Sequence, residues 1–358
     1  MKILSVVGWD NGFNTEKITL GFNNEEGELN VKQTLFPSIA LNPQKSYFEV
    51  DSYSNNFNKE KMVVEYKGKE YFIGELAIQN AVKGFKKDLD RKKFKKDKEK
   101  AKFLSGISTL FPNEDEILIK KLNLGLSIGI YNKLKDDLKK EYENKSFNYK
   151  IPSNKGTKEV KLHIEKVNVY PQGIAAYFDN VLNWEGEIIE NDLLNERYFL
   201  VDVGGNSTDA FIAEGQNIIR QSPIALSNGM SDVFDNVINM VDKELSSLKI
   251  EKAVIEAEKD NKSKIVVYDN FKEYDITNEF EEASNELAQY IYSQLMSNWD
   301  RIIGSEKKAV SCGGGALYIG KYLSGLYPES INHILLDDSQ RANANGLFKL
   351  GIFEESMV

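Results

Sequence analysis

The chain has 358 residues, 41% of them hydrophobic, a net charge of −9, two histidines and one cysteine. That length is more than one core usually organises, so two domains are expected. The acidic balance argues against general nucleic-acid binding, and the lone Cys312 with His163 and His333 can form neither an intrachain disulfide nor a conventional structural zinc site.

The N-terminal run MKILSVVGWD breaks at Asp10, so no signal peptide is expected, and no apolar stretch reaches the length of a membrane span. A cytoplasmic protein is the expectation, and a single cysteine fits a reducing compartment. In chain order, residues 2–8 read as a buried strand and 16–22 as its hairpin partner. Another apolar stretch, 29–41, ends at Pro37 and Pro43, and the Asn-rich 44–61 reads as loop. Lys61–Tyr66 and Glu70–Gly74 form a hairpin around Lys67-Gly68-Lys69, and Ile73–Ala77 opens a helix.

Residues 83–102 carry eleven basic against four acidic side chains, a local balance of +7. They read either as a solvated helix or mobile loop, or as a contact surface for an acidic partner or a neighbouring subunit. Strand and turn then alternate over 117–130, a charged helix covers 131–143, and 146–170 is a hairpin. Pro171-Gln172-Gly173 precedes a helix starting at Ile174. Further on, Asn228–Leu248 reads as an amphipathic helix, Ile250–Tyr274 as strands around Asp260-Asn261, and Asn278–Ile303 as a long helix with Leu287, Ile291, Leu295 and Trp299 on one face. Ala309–Cys312 is a buried strand feeding three glycines, and a last helix lies near 340–350.

The strongest signal is an internal duplication. Residues 3–20 run strand–turn–strand through Asp10-Asn11-Gly12-Phe13-Asn14-Thr15, and residues 198–213 repeat this through Asp202-Val203-Gly204-Gly205-Asn206-Ser207. Aligned on the aspartates, both read D-x-G-x-N-[S/T]. Glycine allows a sharp turn whose N–H groups can face an anion. Asn14, Thr15, Asn206 and Ser207 can bond phosphate oxygens, and Lys17 can reach them as a point charge. A carboxylate beside a polyphosphate is repulsive unless a cation intervenes, so Asp10 and Asp202 imply Mg²⁺, held through water. Gly313-Gly314-Gly315, after a β-branched strand and before a helix, permits close approach to a flat ligand, and Tyr318 could pack against a base. No GxGxxG or GxxxxGK[ST] pattern occurs, which disfavours Rossmann and P-loop readings.

These elements, in this order, resemble the actin–Hsp70–sugar kinase superfamily over essentially the whole chain. Asp10-Asn11-Gly12 with Lys17 resembles its first phosphate loop, Asp202 to Asp209 its second, and Gly313-Gly314-Gly315 its adenosine motif. Gln172 falls where the superfamily places a water-positioning residue. Asn343-Ala344-Asn345-Gly346-Leu347 resembles the second connecting helix, whose small residues let the lobes pack closely. Within the superfamily, length, Ile73–Ala77 and the ending Arg341–Gly351 are most similar to bacterial actin-like plasmid segregation proteins of the ParM/StbA type.

The resemblance implies an α/β, two-lobed actin-like ATPase fold, with duplicated ribonuclease-H-like domains and a nucleotide cleft between the lobes. Lobe I would span 1–180, with a small inserted subdomain at about 30–105, plus a C-terminal helix at 340–358. Lobe II would span 181–339, with an inserted subdomain at about 228–300. ATP, with GTP as the alternative, would bind Asn11, Gly12, Phe13, Asn14, Thr15, Lys17, Gly204, Gly205, Asn206, Ser207, Gly229, Gly313, Gly314, Gly315 and Tyr318. Gln172 would orient water, Asp10 and Asp202 would hold hydrated Mg²⁺, and Asp202 could assist the base. The protein would form polar filaments and move plasmid or phage DNA through a DNA-binding adaptor, with no direct membrane or DNA contact. Two alternatives stand beside this reading: a small-molecule kinase of the same superfamily, and a non-polymerising actin-like assembly factor.

Overall fold

The computed structural model describes residues 1–24, 26–43, 57–81, 90, 92–153, 156–189, 192–215, 217–241, 245–269 and 271–357. Most of the expected loop at 44–61 and the start of the basic segment at 83–102 lie outside the described residues. The chain divides into two compact units, one made of Met1–Asn191 with Arg341–Val358, the other of Asp192–Gln340.

The first unit is built on strands β1 (Lys2–Asn11), β2 (Thr15–Asn23), β3 (Leu29–Pro37), β4 (Ala40–Leu41), β5 (Met62–Tyr66), β6 (Lys69–Ile73), β7 (Glu116–Leu126), β8 (Lys145–Ser153) and β9 (Gly156–Pro171). They form one nine-stranded sheet in the order β3-β2-β1-β7-β9-β8-β5-β6-β4. β1 pairs antiparallel with β2 but parallel with β7, and β7 is parallel to β9. The central strands are therefore buried on both faces, which is why they read as near-continuous apolar runs. β5 joins the sheet by pairing Glu65 and Tyr66 with Lys150 and Tyr149 of β8. The Lys67-Gly68 turn between β5 and β6 has positive φ at both residues, 51° and 70°, as a two-residue hairpin demands.

Helices α1 (Glu75–Gln79), α2 (Asp97–Leu110), α3 (Tyr131–Tyr142) and α4 (Ile174–Val181) cover this sheet with the C-terminal helix Ala342–Ser356. Trp9, fully buried, stacks on Phe103 of α2 at 4.4 Å and meets Tyr142 of α3 edge-on at 5.5 Å. The small residues of the C-terminal helix serve this unit's own packing: a Cβ on Gly346 would lie 1.6 Å from the Ala175 carbonyl oxygen of α4.

The second unit repeats the plan with β10 (Arg197–Val203), β11 (Thr208–Glu214), β12 (Asn217–Ile218), β13 (Ile224–Leu226), β16 (Lys308–Cys312) and β17 (Asn332–Leu335). Its main sheet runs β12-β11-β10-β16-β17, with β13 also on β11, and β10 is antiparallel to β11 and parallel to β16. This matches β3-β2-β1-β7-β9 strand for strand, the structural counterpart of the duplicated motif. β14 (Val266–Asp269) and β15 (Lys272–Asp275) form a separate hairpin. Helices α5 (Met230–Val241), α6 (Ser247–Lys259), α7 (Thr277–Trp299) and α8 (Ala316–Leu326) complete the unit.

One expected stretch differs. Ile250–Tyr274 is not all strand: it begins inside α6, with strands only at Val266–Asp269 and Lys272–Asp275. Ile250, Ala253, Val254 and Ala257 are buried at helical spacing, so a period of 3.6 fits where a period of 2 was expected. Within the helix expected over Asn228–Leu248, α5 covers Met230–Val241 and α6 starts at Ser247, with residues 242–244 outside the described residues. No described helix is long and apolar enough to cross a membrane.

Candidate functional site

In the first unit the loop carrying the first copy of the duplicated motif joins β1 to β2. The register sets Asp10 opposite Lys17 and Asn11 opposite Glu16. Lys17 Nζ lies 2.8 Å from Asp10 Oδ2, and both side chains are buried. Gln172 Nε2 donates to Asp10 Oδ1 at 2.7 Å. Gln172 is aimed by its own backbone: its N–H donates to the Leu126 carbonyl at 2.7 Å, and the next residue, Gly173, turns the chain at φ 82° with its N–H on Asn343 Oδ1. Three predicted residues, Asp10, Lys17 and Gln172, thus meet at one carboxylate. The ammonium that balances Asp10 is the protein's own. Asn14 helps fix the loop by accepting the Ser38 N–H at 2.7 Å. Asn11 Oδ1 is buried with no hydrogen-bond partner among the described residues; an orphaned acceptor beside Asp10 suits a donor such as a cation-bound water.

Beneath the loop, three lysines of the basic segment depart from both expectations, while Lys92 and Lys95 are exposed and residues 83–89 and 91 lie outside the described residues. Lys93, Lys100 and Lys102 are neither solvated nor a contact surface; they are 6%, 7% and 2% exposed. Lys102 Nζ lies 2.7 Å from Glu16 Oε1, 2.7 Å from Glu99 Oε2 and 2.7 Å from Ser38 Oγ. Glu16 also accepts Trp9 Nε1–H at 2.8 Å and the Ser38 hydroxyl at 2.6 Å. Burial pushes the Glu16 carboxyl up, but Lys102 and Lys93 more than offset that and hold it below its usual value. Burial likewise opposes the Lys102 charge, and Glu16 and Glu99 reverse it, so its pKa is raised. Lys93 Nζ donates to the Gly12 carbonyl at 2.7 Å, sits 3.7 Å from Glu99 and lies 4.7 Å over the Phe13 ring. Composition revealed only an excess of lysine. The signal for burial was Phe103, Leu104 and Ile107, which lie on the same helix and draw it into the core.

The second loop joins β10 to β11 in the same register: Asp202 faces Asp209, seven residues on, as Asp10 faces Lys17. Asp202 and Asp209 are both buried. The first copy therefore pairs its aspartate with a lysine and the second with another carboxylate. Sequence reasoning includes Asp209 in the second loop but gives it no role, although drawing the strand register from the duplicated motif places it across from Asp202. The turn closes by Gly204 N–H donating to the Ser207 carbonyl at 2.9 Å. The start of α5 supports it: Met230 and Ser231 N–H donate to the Gly204 and Gly205 carbonyls at 3.2 and 2.7 Å. Ser231 Oγ donates to Asn206 Oδ1 at 2.7 Å, and Gly229 N–H donates to Asp232 Oδ2 at 2.8 Å.

The triple glycine packs against this loop. Gly313 has φ 86°, and a Cβ there would lie 2.4 Å from Asp202 Oδ1; one on Gly315 would lie 2.6 Å from Val203 Cγ1. Only at Gly314 is the nearest neighbour, the Gln340 side chain, at an ordinary 3.6 Å. Tyr318 donates its hydroxyl to Glu258 at 2.6 Å and packs edge-on to Phe280; burial and Glu258 raise its pKa, so it stays neutral. The histidines bond to serines, His163 to Ser146 and His333 to Ser311, each at 2.9 Å. Among the described residues no three metal-ligating side chains cluster.

Two family models match. That for actin-like proteins, N-terminal domain, covers residues 8–174, and that for the archaeal actin homologue MreB-like, C-terminal, covers residues 200–325. No curated protein matches the chain. Among solved structures, the actin-like protein Alp7A is 17% identical with TM-score 0.76, covering 99% of this chain and 97% of that one. ParM of Clostridium botulinum, solved as a 15-stranded filament, is 19% identical with TM-score 0.72, covering 98% and 99%. Bacillus thuringiensis ParM with AMPPNP is 15% identical with TM-score 0.67, covering 99% and 100%.

Proposed function

Starting from a chain that belongs to the actin-like proteins, we propose that it is a cytoplasmic, nucleotide-dependent polymerising ATPase that segregates plasmid or phage DNA through an adaptor protein. The observation that carries the nucleotide reading is the pair of phosphate loops, alike in motif and in strand register, with Gln172 bonded to the aspartate of the first. Each loop is read as binding the phosphates of ATP or GTP; in the first the orphaned Asn11 oxygen with buried Asp10 suits the water shell of Mg²⁺, and in the second buried Asp202 is the counterpart carboxylate. Bound Mg²⁺ would neutralise charge as the γ-phosphoryl group leaves.

The chain's own residues do the rest. Backbone N–H groups of the Gly12 and Gly204-Gly205 turns, with Asn14, Thr15, Asn206 and Ser207, bind phosphate oxygens. Gln172 keeps one amide hydrogen on Asp10 and offers its remaining polar groups to a water. Lys17 pairs with Asp10 at 2.8 Å, which fixes the carboxylate so that it can orient that water or the metal's shell. The assembly reading draws on the filament of the Clostridium botulinum relative. Head-to-tail contacts between copies give filaments where their rotation does not close into a ring.

Light scattering of the full chain with Mg²⁺ tests this. A rise and decay with ATP or GTP, and a stable plateau with a non-hydrolysable analogue, is the expected result. A flat trace with every nucleotide over a wide concentration range would remove the polymerising reading and leave the kinase and assembly-factor alternatives, which a substrate screen separates.

A further inference from the structure

The two loops solve one problem in different ways. Aligned on their aspartates, Gly12 corresponds to Gly204. The Gly204 carbonyl is held by a backbone N–H at the start of α5, that of Met230 at 3.2 Å. The corresponding Gly12 carbonyl is held by a side chain, Lys93 Nζ, at 2.7 Å. In a trans peptide the C=O and the following N–H point in opposite directions. Fixing the Gly12 carbonyl toward Lys93 therefore turns the Phe13 N–H away from Lys93. No acceptor among the described residues takes that N–H. The Lys93 ammonium also lies over the Phe13 ring at 4.7 Å, so one cation secures both ends of the Gly12–Phe13 peptide.

We propose that Lys93 is a positioning residue for nucleotide binding, which sets the Gly12–Phe13 peptide so that the Phe13 N–H faces phosphate. This rests on the nucleotide reading above. Lys93 replaces, in the first unit, the helix start that does this in the second. It lies outside the phosphate-loop motif, 81 residues from Gly12, in the basic run whose role composition left open.

The charge of Lys93 is conditional. Burial lowers its pKa, Lys102 on α2 lowers it further, and Glu99 on α2, Glu16 on β2 and Asp10 on β1 raise it, with a net result of about 8. A phosphate anion on the far side of the peptide favours the charged form. The bound-state pKa then exceeds the free one, so affinity is full below pH 8 and declines as pH rises through and beyond it.

The test is equilibrium binding of Mg²⁺–ADP and of a non-hydrolysable Mg²⁺–ATP analogue to the full chain at pH 7 and pH 9. Wild type should lose about tenfold in affinity between the two, the scale of one lost charged hydrogen bond. Lys93→Met should be weak and equal at both values, and Lys93→Arg, always charged, should restore binding that no longer changes with pH. A wild-type affinity that is the same at both pH values overturns the proposal, even if Lys93→Met fails to fold. So does a folded Lys93→Met that binds like wild type. Absence of nucleotide binding by wild type at either pH overturns the nucleotide reading itself, and this inference with it.

Discussion

Replacing Lys102 by methionine probes the buried charge network directly. In the native protein this ammonium, 2% exposed, is shared by Glu16, Glu99 and the Ser38 hydroxyl, each at 2.7 Å. Methionine keeps most of the volume and removes the charge, leaving two buried carboxylates with Lys93 as their one remaining ammonium. Breaking a buried pair from one side costs about 3–5 kcal/mol, because the partner is left uncompensated in a poorly polarisable surrounding. For a unit of this size that lowers its melting temperature by roughly 6–20 °C. The pH dependence has a definite sign. In wild type the Glu16 pKa is depressed, so its stabilisation is present above the unfolded carboxylate value and is lost as pH falls through the folded one. In Lys102→Met the main opposing charge is gone, burial raises that pKa, and acidification now relieves the variant by protonating the carboxylate. Calorimetry of both proteins at pH 7 and pH 5 should therefore show a large gap that narrows at the lower pH. The double variant Glu16→Gln with Lys102→Met should recover part of the loss at pH 7. A single variant that melts within about 2 °C of wild type, or a gap that widens on acidification, would refute the reasoning.

Two further outcomes follow from the geometry. Gln172→Ala removes the amide that meets Asp10 at 2.7 Å, so single-turnover hydrolysis should slow by about 10²-fold while nucleotide affinity changes little; unchanged turnover in that variant would discard the assignment. Gly346→Ala places a methyl group 1.6 Å from the Ala175 carbonyl oxygen, a backbone overlap that the gain in helix propensity of about 1 kcal/mol cannot offset; destabilisation by roughly 2 kcal/mol or more is expected in thermal melts, and a rise in melting temperature would show that α4 and the C-terminal helix can separate without cost.

Much of the fold was legible because its signals are local. The hairpins at Asp10 and Asp202, the long helix ending at Trp299 and the strand Lys308–Cys312 each carry their periodicity within a short window. The α6 helix was misread because Ile250, Val254 and Ile255 favour strands by residue type, while the burial of Ala253 and Ala257 that betrays helical spacing rests on small side chains with little weight in a hydropathy pattern. At the site, the duplicated aspartates were readable from motif spacing, and Gln172 from the superfamily resemblance alone. Lys93 and Lys102 were not: a lysine looks solvated until its carboxylate partners are known, and those partners, Glu16 and Glu99, lie 86 and 3 residues from Lys102.

The C-terminal helix closes the core of the unit that begins the chain. Leu347 and Phe348 are fully buried there, Asn123 of β7 donates to the Leu347 carbonyl at 2.8 Å, and Lys121 donates to that of Gly351 at 2.9 Å. All of Asp192–Gln340 lies between these partners in the sequence. On the ribosome the usual order of N-terminal unit first is therefore reversed. The second unit is continuous and can complete its core while the first, synthesised earlier, still waits for its last helix. Until that helix arrives, the face of β1 and β7 that it covers is open to water, so the interval between making residue 191 and residue 341 is when the nascent chain most needs protection from aggregation.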